Sequence, residues 1–380
     1  MVLTLTATLL IARPWEELPT LRPDERPDQL RSLSVDFDTL VDPTTNWRAI
    51  DDRLDQVGAT AVDLNAGRVE FTAFDWDEHP DAAAQPGFDH IKRAASALSQ
   101  TADGAPRPIA LIVDAYVPSW IEEEPEVAGV SVDGARSPYQ ASASQLAEGE
   151  VGDRLVDYVA ALGARYEPSQ IAVTELFLNR YTFGDEDFAL FREMTGEQDW
   201  PRTRDGQIDE DGATLTAWRA EVLAGLMGRM RAALDEVDGG RGAQIELAMD
   251  VRLDWENPAV GSLGSGHDYS VLLEAVDRLV LWAYVYETRD PAEIEEVTAG
   301  LEAAGLDMSR FTISVGLWVK GPGGNVEEAI TPARLVDSVR AAQTHGITSV
   351  NVTPLRLMSD AAWSALASVW APEAEDAGSD

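Results

Sequence analysis

The chain has 380 residues, 45% of them hydrophobic, and a formal net charge of −38. That much apolar material can form a large core, whereas so acidic a surface argues against nucleic acid, an anionic membrane or a polyanionic substrate as partner. The sequence has no run of about 18 consecutive apolar residues, so it predicts no membrane span. The sequence contains no cysteine, which excludes disulfides, zinc–thiolate sites and cysteine nucleophiles. With four histidines in all, a histidine-rich metal centre is not expected.

The two ends of the chain are predicted to lie outside the folded domain. Residues 1–30 include four prolines and are interpreted as an extended lead-in, because proline fixes φ and removes a backbone donor. The apolar start Val2–Ala12 resembles the core of a signal peptide but lacks a basic stretch and a cleavage site. We interpret it as an N-terminal strand or a trimmed remnant, and we slightly favour an extracellular or cell-envelope location over the cytoplasm. Residues 31–371 form the predicted domain, and residues 372–380 an acidic disordered tail.

A short apolar run with alternating residues occurs eight times, and a helical pattern follows each run. This repetition predicts an α/β fold, a single (β/α)8 TIM barrel. The runs are Leu33–Asp38, Ala59–Asn65, Ile109–Val117, Ile171–Asn179, Ile245–Trp255, Leu279–Tyr286, Phe311–Trp318 and Ser349–Leu355.

Long segments follow several of these runs, whereas most helix-to-strand connections are short. The strand-to-helix loops Ala66–Pro86, Pro118–Gly149, Arg180–Asp211 and Glu256–Asp268 should all meet at the C-terminal face of the barrel, and the third should contain a short helix around Glu186–Met194. The fourth carries His267, which could contact a substrate, and Asp268, for which a helix N-cap role is expected.

Strand alternation predicts which side chains point into the barrel. It places carboxyl groups from five consecutive strands at matched depth, and crowded carboxyl groups push each other's pKa values apart, which supplies one acid and one base. Asp38 and Phe177 are also predicted to point inward. The predicted site consists of Asp36, Asp63, Asn65, Asp114, Tyr116, Glu175, Asn179, Asp250, Arg252, Trp282, Tyr284 and Trp318.

Aromatic residues at strand ends and in the C-terminal loops favour a sugar ligand. Indole faces stack on pyranose rings, while carboxylates and Asn hold the hydroxyl groups. The tryptophans in question are Trp76, Trp120, Trp255, Trp282 and Trp318, of which Trp282 and Trp318 are the expected sugar platform.

The strand pattern and two stretches, Val62–Phe71 and Val173–Gly184, resemble the broad group of glycoside-hydrolase-like TIM barrels. Many such enzymes carry a catalytic acid at the end of strand four, and the resemblance therefore assigns that role to Glu175. The largest retaining clan has its nucleophilic Glu at the end of strand seven, but this chain has Val315–Trp318 there, without a carboxylate. The second carboxylate is therefore expected to be Asp250 or Asp114.

The leading hypothesis is a glycoside hydrolase acting on a neutral or cationic oligo- or polysaccharide, with no cofactor and no metal. Glu175 is the expected general acid and Asp250 the expected nucleophile or base, ahead of Asp114. The other predicted site residues would bind the substrate. Two alternatives stay open, a carbohydrate-binding barrel without turnover and a lyase, aldolase or isomerase with Mg²⁺ or Ca²⁺ held by the inward carboxylates. Strong self-repulsion favours a monomer or small oligomer.

Overall fold

A computed structural model describes residues 18–24, 27–321 and 328–371. Eight parallel strands form its central sheet, and the first strand pairs with both the second and the last, which closes the barrel. The predicted (β/α)8 fold is confirmed. The barrel strands are β1 Leu30–Val35, β2 Ala61–Arg68, β3 Ile109–Asp114, β4 Gln170–Thr174, β5 Glu246–Arg252, β6 Arg278–Trp282, β7 Phe311–Gly316 and β8 Ser349–Thr353.

A helix follows each strand and packs an apolar stripe on the outside of the barrel. In the first of them, buried Trp47, Leu54 and Val57 form the stripe, the Asn46 side chain caps the N-terminus, and Gly58 ends the helix in the left-handed region at φ 70°. The barrel helices are α1 Trp47–Val57, α2 His90–Leu98, α3 Glu150–Tyr166, α4 Ala213–Glu236, α5 Tyr269–Leu272, α6 Glu293–Ala303, α7 Pro332–Ala342 and α8 Asp360–Trp370.

The main hydrophobic core lies between the strands and this helical ring. Leu33 and Val35 of β1, for example, are fully buried there. The alternate residues of the strands point into the barrel and are mostly small or polar. The inward residues along the central cavity include Ser32, Ser34, Ala61, Asp63, Ala110, Ile112, Ala172, Thr174, Asp250, Val280, Thr312, Ser314, Ser349 and Asn351.

The strand-to-helix segments contain most of the additional structure. After β2, Phe71–Thr72 folds back antiparallel on the end of the strand. After β3, Ala128–Val130 and Arg136–Ala141 form a hairpin. The helix expected around Glu186–Met194 is present as Asp185–Thr195. Three further short helices are Phe37–Val41, Pro118–Glu123 and Ala143–Ala147.

The segment 18–24 lies across the opposite, N-terminal end of the barrel. Leu21 is buried, and its carbonyl accepts a hydrogen bond from the Ile109 amide (2.9 Å) at the start of β3. The Arg22 guanidinium donates to the side-chain oxygen of Gln244, just before β5. Part of the predicted lead-in thus lies against the barrel bottom, while its residues 1–17, 25 and 26 and the predicted tail 372–380 lie outside the described residues. No helix in the described ranges is long and apolar enough to cross a membrane.

Arg107 joins α1 to the start of β3 from a fully buried position. Its guanidinium contacts Asp51 (2.7 Å), Asp55 and the carbonyl of Leu98. Removing a buried cation leaves its carboxylates without their partner, which is strongly destabilising.

We expect Arg107→Met to lower the free energy of unfolding by about 3 kcal/mol, measured by urea denaturation. The matched control is Arg202→Met, because Arg202 and its partner Asp199 are 46% and 60% exposed, and an exposed pair contributes about 1 kcal/mol or less. Equal losses in the two variants would contradict a structural role for Arg107.

Candidate active site

One cavity of about 480 Å³ begins at the C-terminal mouth of the barrel and continues into its interior. Its walls collect side chains from the C-terminal halves of all eight strands, because parallel strands end on the same face. Nine of the twelve sequence-predicted site residues line it: Asp36, Asp63, Asn65, Asp114, Glu175, Asp250, Trp282, Tyr284 and Trp318.

The other three predicted residues lie beside the cavity or away from it. The Tyr116 hydroxyl donates a hydrogen bond to the Glu175 carboxylate. The Arg252 guanidinium stacks 3.7 Å from the ring centre of Phe177 and lies close enough to Glu175 to act on its charge. Asn179 is not part of the cavity wall. It sits in the β4 loop, where its carbonyl accepts from the Thr182 hydroxyl (3.1 Å).

The face prediction for strand four was wrong by one residue. Alternation placed Glu175, Phe177 and Asn179 inward, but β4 ends at Thr174, and its inward residues are Gln170, Ala172 and Thr174. Glu175 still reaches the cavity because its backbone adopts the left-handed region at φ 56°. A non-glycine residue rarely adopts this conformation, which costs about 1–3 kcal/mol and often marks a functional position.

The two acidic residues that follow β1 do not point their carboxyl groups freely into the cavity. Asp36 caps the short helix Phe37–Val41, since its Oδ1 accepts from the Thr39 amide and hydroxyl (3.3 and 3.0 Å). Asp38 was predicted to point into the barrel, but it lies exposed in the first turn of that helix. The strand stops at Val35, so the alternation does not extend to residue 38.

Asp114 is held by an ion pair and a backbone amide. Its Oδ2 lies 2.9 Å from Nη2 of Arg68, and its Oδ1 accepts from the Tyr116 amide (2.9 Å). Burial raises the pKa of Asp114, and the Arg68 charge opposes that rise. With both oxygens engaged, Asp114 is better suited to holding Arg68 and Tyr116 than to attacking a substrate.

Asp63 belongs to a polar network deeper in the barrel. Its Oδ2 accepts from Ser32 Oγ (2.9 Å) and from Asn351 Nδ2 (2.8 Å). The Asn351 amide also donates to Ser34 Oγ (2.9 Å) and accepts from Ser314 Oγ (3.0 Å). Burial raises the pKa of Asp63 to about 6. Sequence reasoning placed Asn351 inward without assigning it to the site, because a lone Asn gives no sign of its partners.

Asp250 and Glu175 are the two remaining carboxyl groups of the cavity whose pKa values are raised. Trp282 Nε1 donates to Asp250 Oδ2 (3.2 Å), and Thr174 also hydrogen-bonds this carboxyl group. Burial, with smaller contributions from the charges of Glu175 and Asp63, raises the pKa of Asp250 to about 7. Burial also raises the pKa of Glu175; the charge of Asp114 adds to this rise, whereas the Tyr116 hydrogen bond opposes it.

The aromatic wall of the cavity is built around Tyr284. Its ring stacks on Trp282 (centroids 5.9 Å apart, 16° between planes) and contacts Trp318 (5.2 Å). Gly316 makes room for it, since a Cβ at residue 316 would lie 2.5 Å from the Tyr284 ring. The absence of a side chain at the end of β7 thus serves the packing of this wall.

The other three tryptophans that the sequence places at strand ends and in the C-terminal loops are engaged elsewhere. Trp76 is 1% exposed and packs on Tyr158, so it has no free face for a ligand. Trp120 lies under the guanidinium of Arg154, and Trp255 under that of Arg289. Because none of the three lines the cavity, the aromatic surface facing it comes from β6 and the end of β7.

His267 is a buried structural residue that joins two loops of the site. Its Nδ1 accepts from the Arg252 amide (2.9 Å), so Nε2 carries the proton and donates to the Leu176 carbonyl (3.0 Å). Burial lowers the pKa of His267 to about 4. The neighbouring Asp268 caps α5, as predicted, by accepting from the Ser270 amide (2.9 Å). The histidine thereby fixes the β4 loop next to the end of β5.

Comparison with known proteins rests on structure, since no protein-family model and no curated protein sequence matches this chain. The chain is similar to the glycoside hydrolase domain of PgaB (BpsB) from Bordetella bronchiseptica, with a TM-score of 0.67 and 15% identity over 90% of this chain and 99% of that domain. It is also similar to the catalytic domain of β-amylase from Paenibacillus polymyxa, with a TM-score of 0.57 and 13% identity over 90% and 97% of the two chains.

A third similar structure is Gan42B, a GH42 β-galactosidase from G. stearothermophilus, with a TM-score of 0.62 and 12% identity over 87% of this chain and 51% of that one. The chain shares the TIM-barrel fold of these glycoside hydrolases. At identities of 10–15% the likeness establishes the fold alone, and the residues of the site are judged on their own geometry.

The buried His267 gives the stability of the fold a defined pH dependence. Its folded-state pKa of about 4 lies below the ordinary value of 6.5, so between these values the unfolded chain binds a proton that the folded chain excludes. The stability that the neutral imidazole contributes is therefore present above pH 6.5 and is lost as the pH falls towards 4.

We expect the difference in unfolding free energy between wild type and His267→Gln to shrink by roughly 3 kcal/mol from about pH 7.5 to about pH 4. Urea denaturation of both proteins at each pH measures this difference, and the other titrating groups cancel in the comparison. A difference that stays constant with pH would show that His267 titrates equally in both states.

Proposed function

We propose that this protein is a glycoside hydrolase in which Glu175 and Asp250 form the catalytic pair. One observation carries the proposal: Glu175 and Asp250, whose pKa values are both raised, line one cavity beside Trp282, Tyr284 and Trp318. The other carboxyl groups of the cavity have structural partners: Asp36 caps a helix, Asp114 forms an ion pair with Arg68, and Asp63 is bonded by Ser32 and Asn351.

Glu175 is the proposed general acid. A raised pKa keeps a carboxyl group protonated closer to neutral pH, which a group that must protonate a leaving oxygen requires. Tyr116, Arg252 and Asp114 surround it with one hydrogen bond and two opposite charges, so its proton affinity responds to several neighbours. Its position at the upper end of β4 suits contact with a bound saccharide.

Asp250 is the proposed nucleophile or base. It lies two residues before the end of β5 and therefore deeper than Glu175, so a sugar bound in the mouth would lie between the two groups. Trp282 donates to the Asp250 carboxylate while its ring stacks on Tyr284. The hydrogen bond fixes the carboxyl group against the same wall on which a pyranose ring would stack, which couples substrate position to the reacting group.

The wall chemistry favours a neutral or cationic saccharide. Inside the mouth the lining combines carboxyl groups, Asn65 and aromatic rings, and the Arg68 charge is already paired with Asp114. Carboxylates and amides hold hydroxyl or amino groups of a sugar, and apolar sugar faces stack on indole. The net charge of −38 acts in the same direction by repelling polyanions.

A carbohydrate-binding barrel without turnover is the second candidate. The observation that favours it is the end of β7, where Gly316 and Trp318 stand in place of a carboxylate. The metal-dependent alternative has less support, because within residues 18–24, 27–321 and 328–371 no three His, Asp or Glu side chains come together as an ion site.

A panel of neutral and amino-sugar polysaccharides is first screened for release of reducing ends, which identifies a substrate. The catalytic pair is then tested on that substrate with Glu175→Gln and Asp250→Asn. We expect kcat to fall by roughly a hundredfold to ten-thousandfold in each variant, because each removes an acid or base that acts in the transition state. Asp36→Asn is the matched control and should keep most of the activity. Full activity in Glu175→Gln would rule out this residue as the acid.

The two roles separate on an activated substrate. A dinitrophenyl glycoside has a leaving group that departs without protonation, so Glu175→Gln should recover bond cleavage on it, whereas Asp250→Asn should stay inactive. Loss of cleavage in both variants would contradict the assignment of Glu175 as acid. Glycan binding without turnover by wild type would favour the carbohydrate-binding candidate.

Trp318 tests the aromatic wall. We expect Trp318→Ala to raise KM by about tenfold, because the substrate loses the binding free energy of one aromatic stacking contact, roughly 0.5–1.5 kcal/mol. Trp255→Ala is the control, because Trp255 is stacked with Arg289 outside the cavity lining. Equal effects of the two substitutions on KM would argue against a sugar platform at Trp318.

A further inference from the structure

The interior of this barrel is unusually open. Barrels of this fold are ordinarily filled by layers of bulky branched side chains, but here the inward positions near the N-terminal end include Ser32, Ala61, Ala110 and Ser349. The cavity that begins at the mouth continues past these residues. Its volume of about 480 Å³ far exceeds the roughly 10–15 Å³ that one water molecule requires.

This interior cavity extends to the N-terminal face. Its lower end is lined by Arg22, Asp24, Gln244 and Glu246. Of these, Asp24 and Gln244 are exposed to solvent. Among the described residues, the cavity lining therefore reaches solvent-exposed side chains at the N-terminal face as well as the mouth at the C-terminal face.

The two sides of the interior differ in polarity. The side formed by β3 to β6 is apolar, with Ala172, Ala248 and Val280 packed together against Ile112. The opposite side is polar and hydrogen-bonded. It comprises Ser32, Ser34, Asp63, Ser314 and Asn351. Buried water is stable where it finds two to four polar partners, so the polar side can hold a column of water along its length.

Asp250 projects from β5 into the upper part of the cavity. Its carboxyl group lines the cavity next to Thr174, and the charges of Glu175 and Asp63 act on it. A saccharide stacked on Trp282 and Trp318 would close the mouth above it. The route from the N-terminal face would then be the one that stays open to Asp250.

We propose that the barrel interior is a second entrance, through which the hydrolytic water reaches Asp250 from the N-terminal face while the saccharide occupies the mouth. The proposal rests on the proposed function and assigns Asp250 as general base. Asp250 takes one proton from the water, whose oxygen bonds to the anomeric carbon. Glu175 gives its proton to the leaving oxygen as the glycosidic bond breaks.

This route has a stereochemical consequence. Water that arrives from the side of Asp250 attacks opposite the leaving group, so the product has the inverted configuration. At the end of the cycle Asp250 carries a proton and Glu175 lacks one. The base returns its proton to solvent along the interior, and the acid takes up a proton at the mouth when the product leaves.

The first experiment follows the configuration of the product by proton NMR within the first minutes of hydrolysis, before mutarotation. Inversion at the anomeric carbon is the expected result. Retention would overturn the proposal, because a retaining enzyme uses the second carboxylate as nucleophile and its water enters after the leaving group has left the mouth.

The second experiment narrows the interior far from the mouth. We expect Ala61→Leu to leave KM unchanged and to lower kcat by about tenfold, because the larger side chain obstructs the water on which the general base acts. A general base contributes roughly hundredfold or more to the rate, and the obstruction removes part of it. Ala61→Ser, which adds one polar atom, is the matched control and should keep wild-type kcat. Ala110→Leu narrows the interior from β3, where Ala110 pairs in register with Asp63, and it replaces Ala61→Leu should that variant not fold. Wild-type kcat in a folded, blocked variant would overturn the proposal.

A crystal structure distinguishes a failure of the second entrance from a failure of the proposed hydrolase function. Wild type should show ordered water from Asp250 down to Asp24, and Ala61→Leu should interrupt it. An interior without ordered water in wild type would overturn the second entrance even if hydrolysis occurs. If no saccharide is cleaved while the water column is present, the proposed function fails, and with it the role of that water in hydrolysis.

Discussion

The constraint on which the rest of this structure depends is the cost of placing carboxyl groups inside a barrel. An ionised carboxylate loses hydration there and must gain hydrogen bonds, a counter-charge, a proton or solvent. Each inward acid meets this demand differently: Asp114 has Arg68, Asp63 has Ser32 and Asn351, and Asp250 has Trp282 and a raised pKa. The small residues around them follow from the same demand, because bulky apolar neighbours would remove the solvent as well.

The aromatic wall and the carboxyl groups form one unit. Tyr284 packs against Gly316 on β7 and stacks on Trp282, whose indole nitrogen donates to Asp250. The wall that would position a sugar therefore also orients the Asp250 carboxyl group, and a displaced ring would move both. On the other side, His267 fixes the loop that carries Glu175 against the end of β5. These supports lie outside the chemistry but determine whether the two carboxyl groups face the same space.

The sequence predicts the barrel well because its signal is repeated eight times, and a local error leaves the remaining repeats intact. Alternation gives the inward faces within the strands, but it fails where it is continued past a strand end, as at Asp38 after β1. Strand four fails because alternation was continued beyond Thr174, where the chain leaves the strand and Glu175 takes a left-handed backbone. A pattern of hydrophobicity contains no signal for such a backbone. Similarly, Trp76 and Trp282 look equivalent in the sequence, and tertiary packing alone decides that one is buried and the other faces the cavity.

The open interior changes how the missing strand-seven carboxylate is understood. An enzyme with its nucleophile at the rim of the barrel has no need of an accessible interior, and bulky layers can fill it. Here Gly316 and Trp318 occupy the rim at the end of β7, and Asp250, the proposed second carboxyl group, lies lower, on β5. An acid at that depth is covered when a ligand fills the mouth, so it remains in contact with water only if the barrel beneath it is polar and loosely filled. The position of Asp250 and the small residues below it are thus two parts of one arrangement.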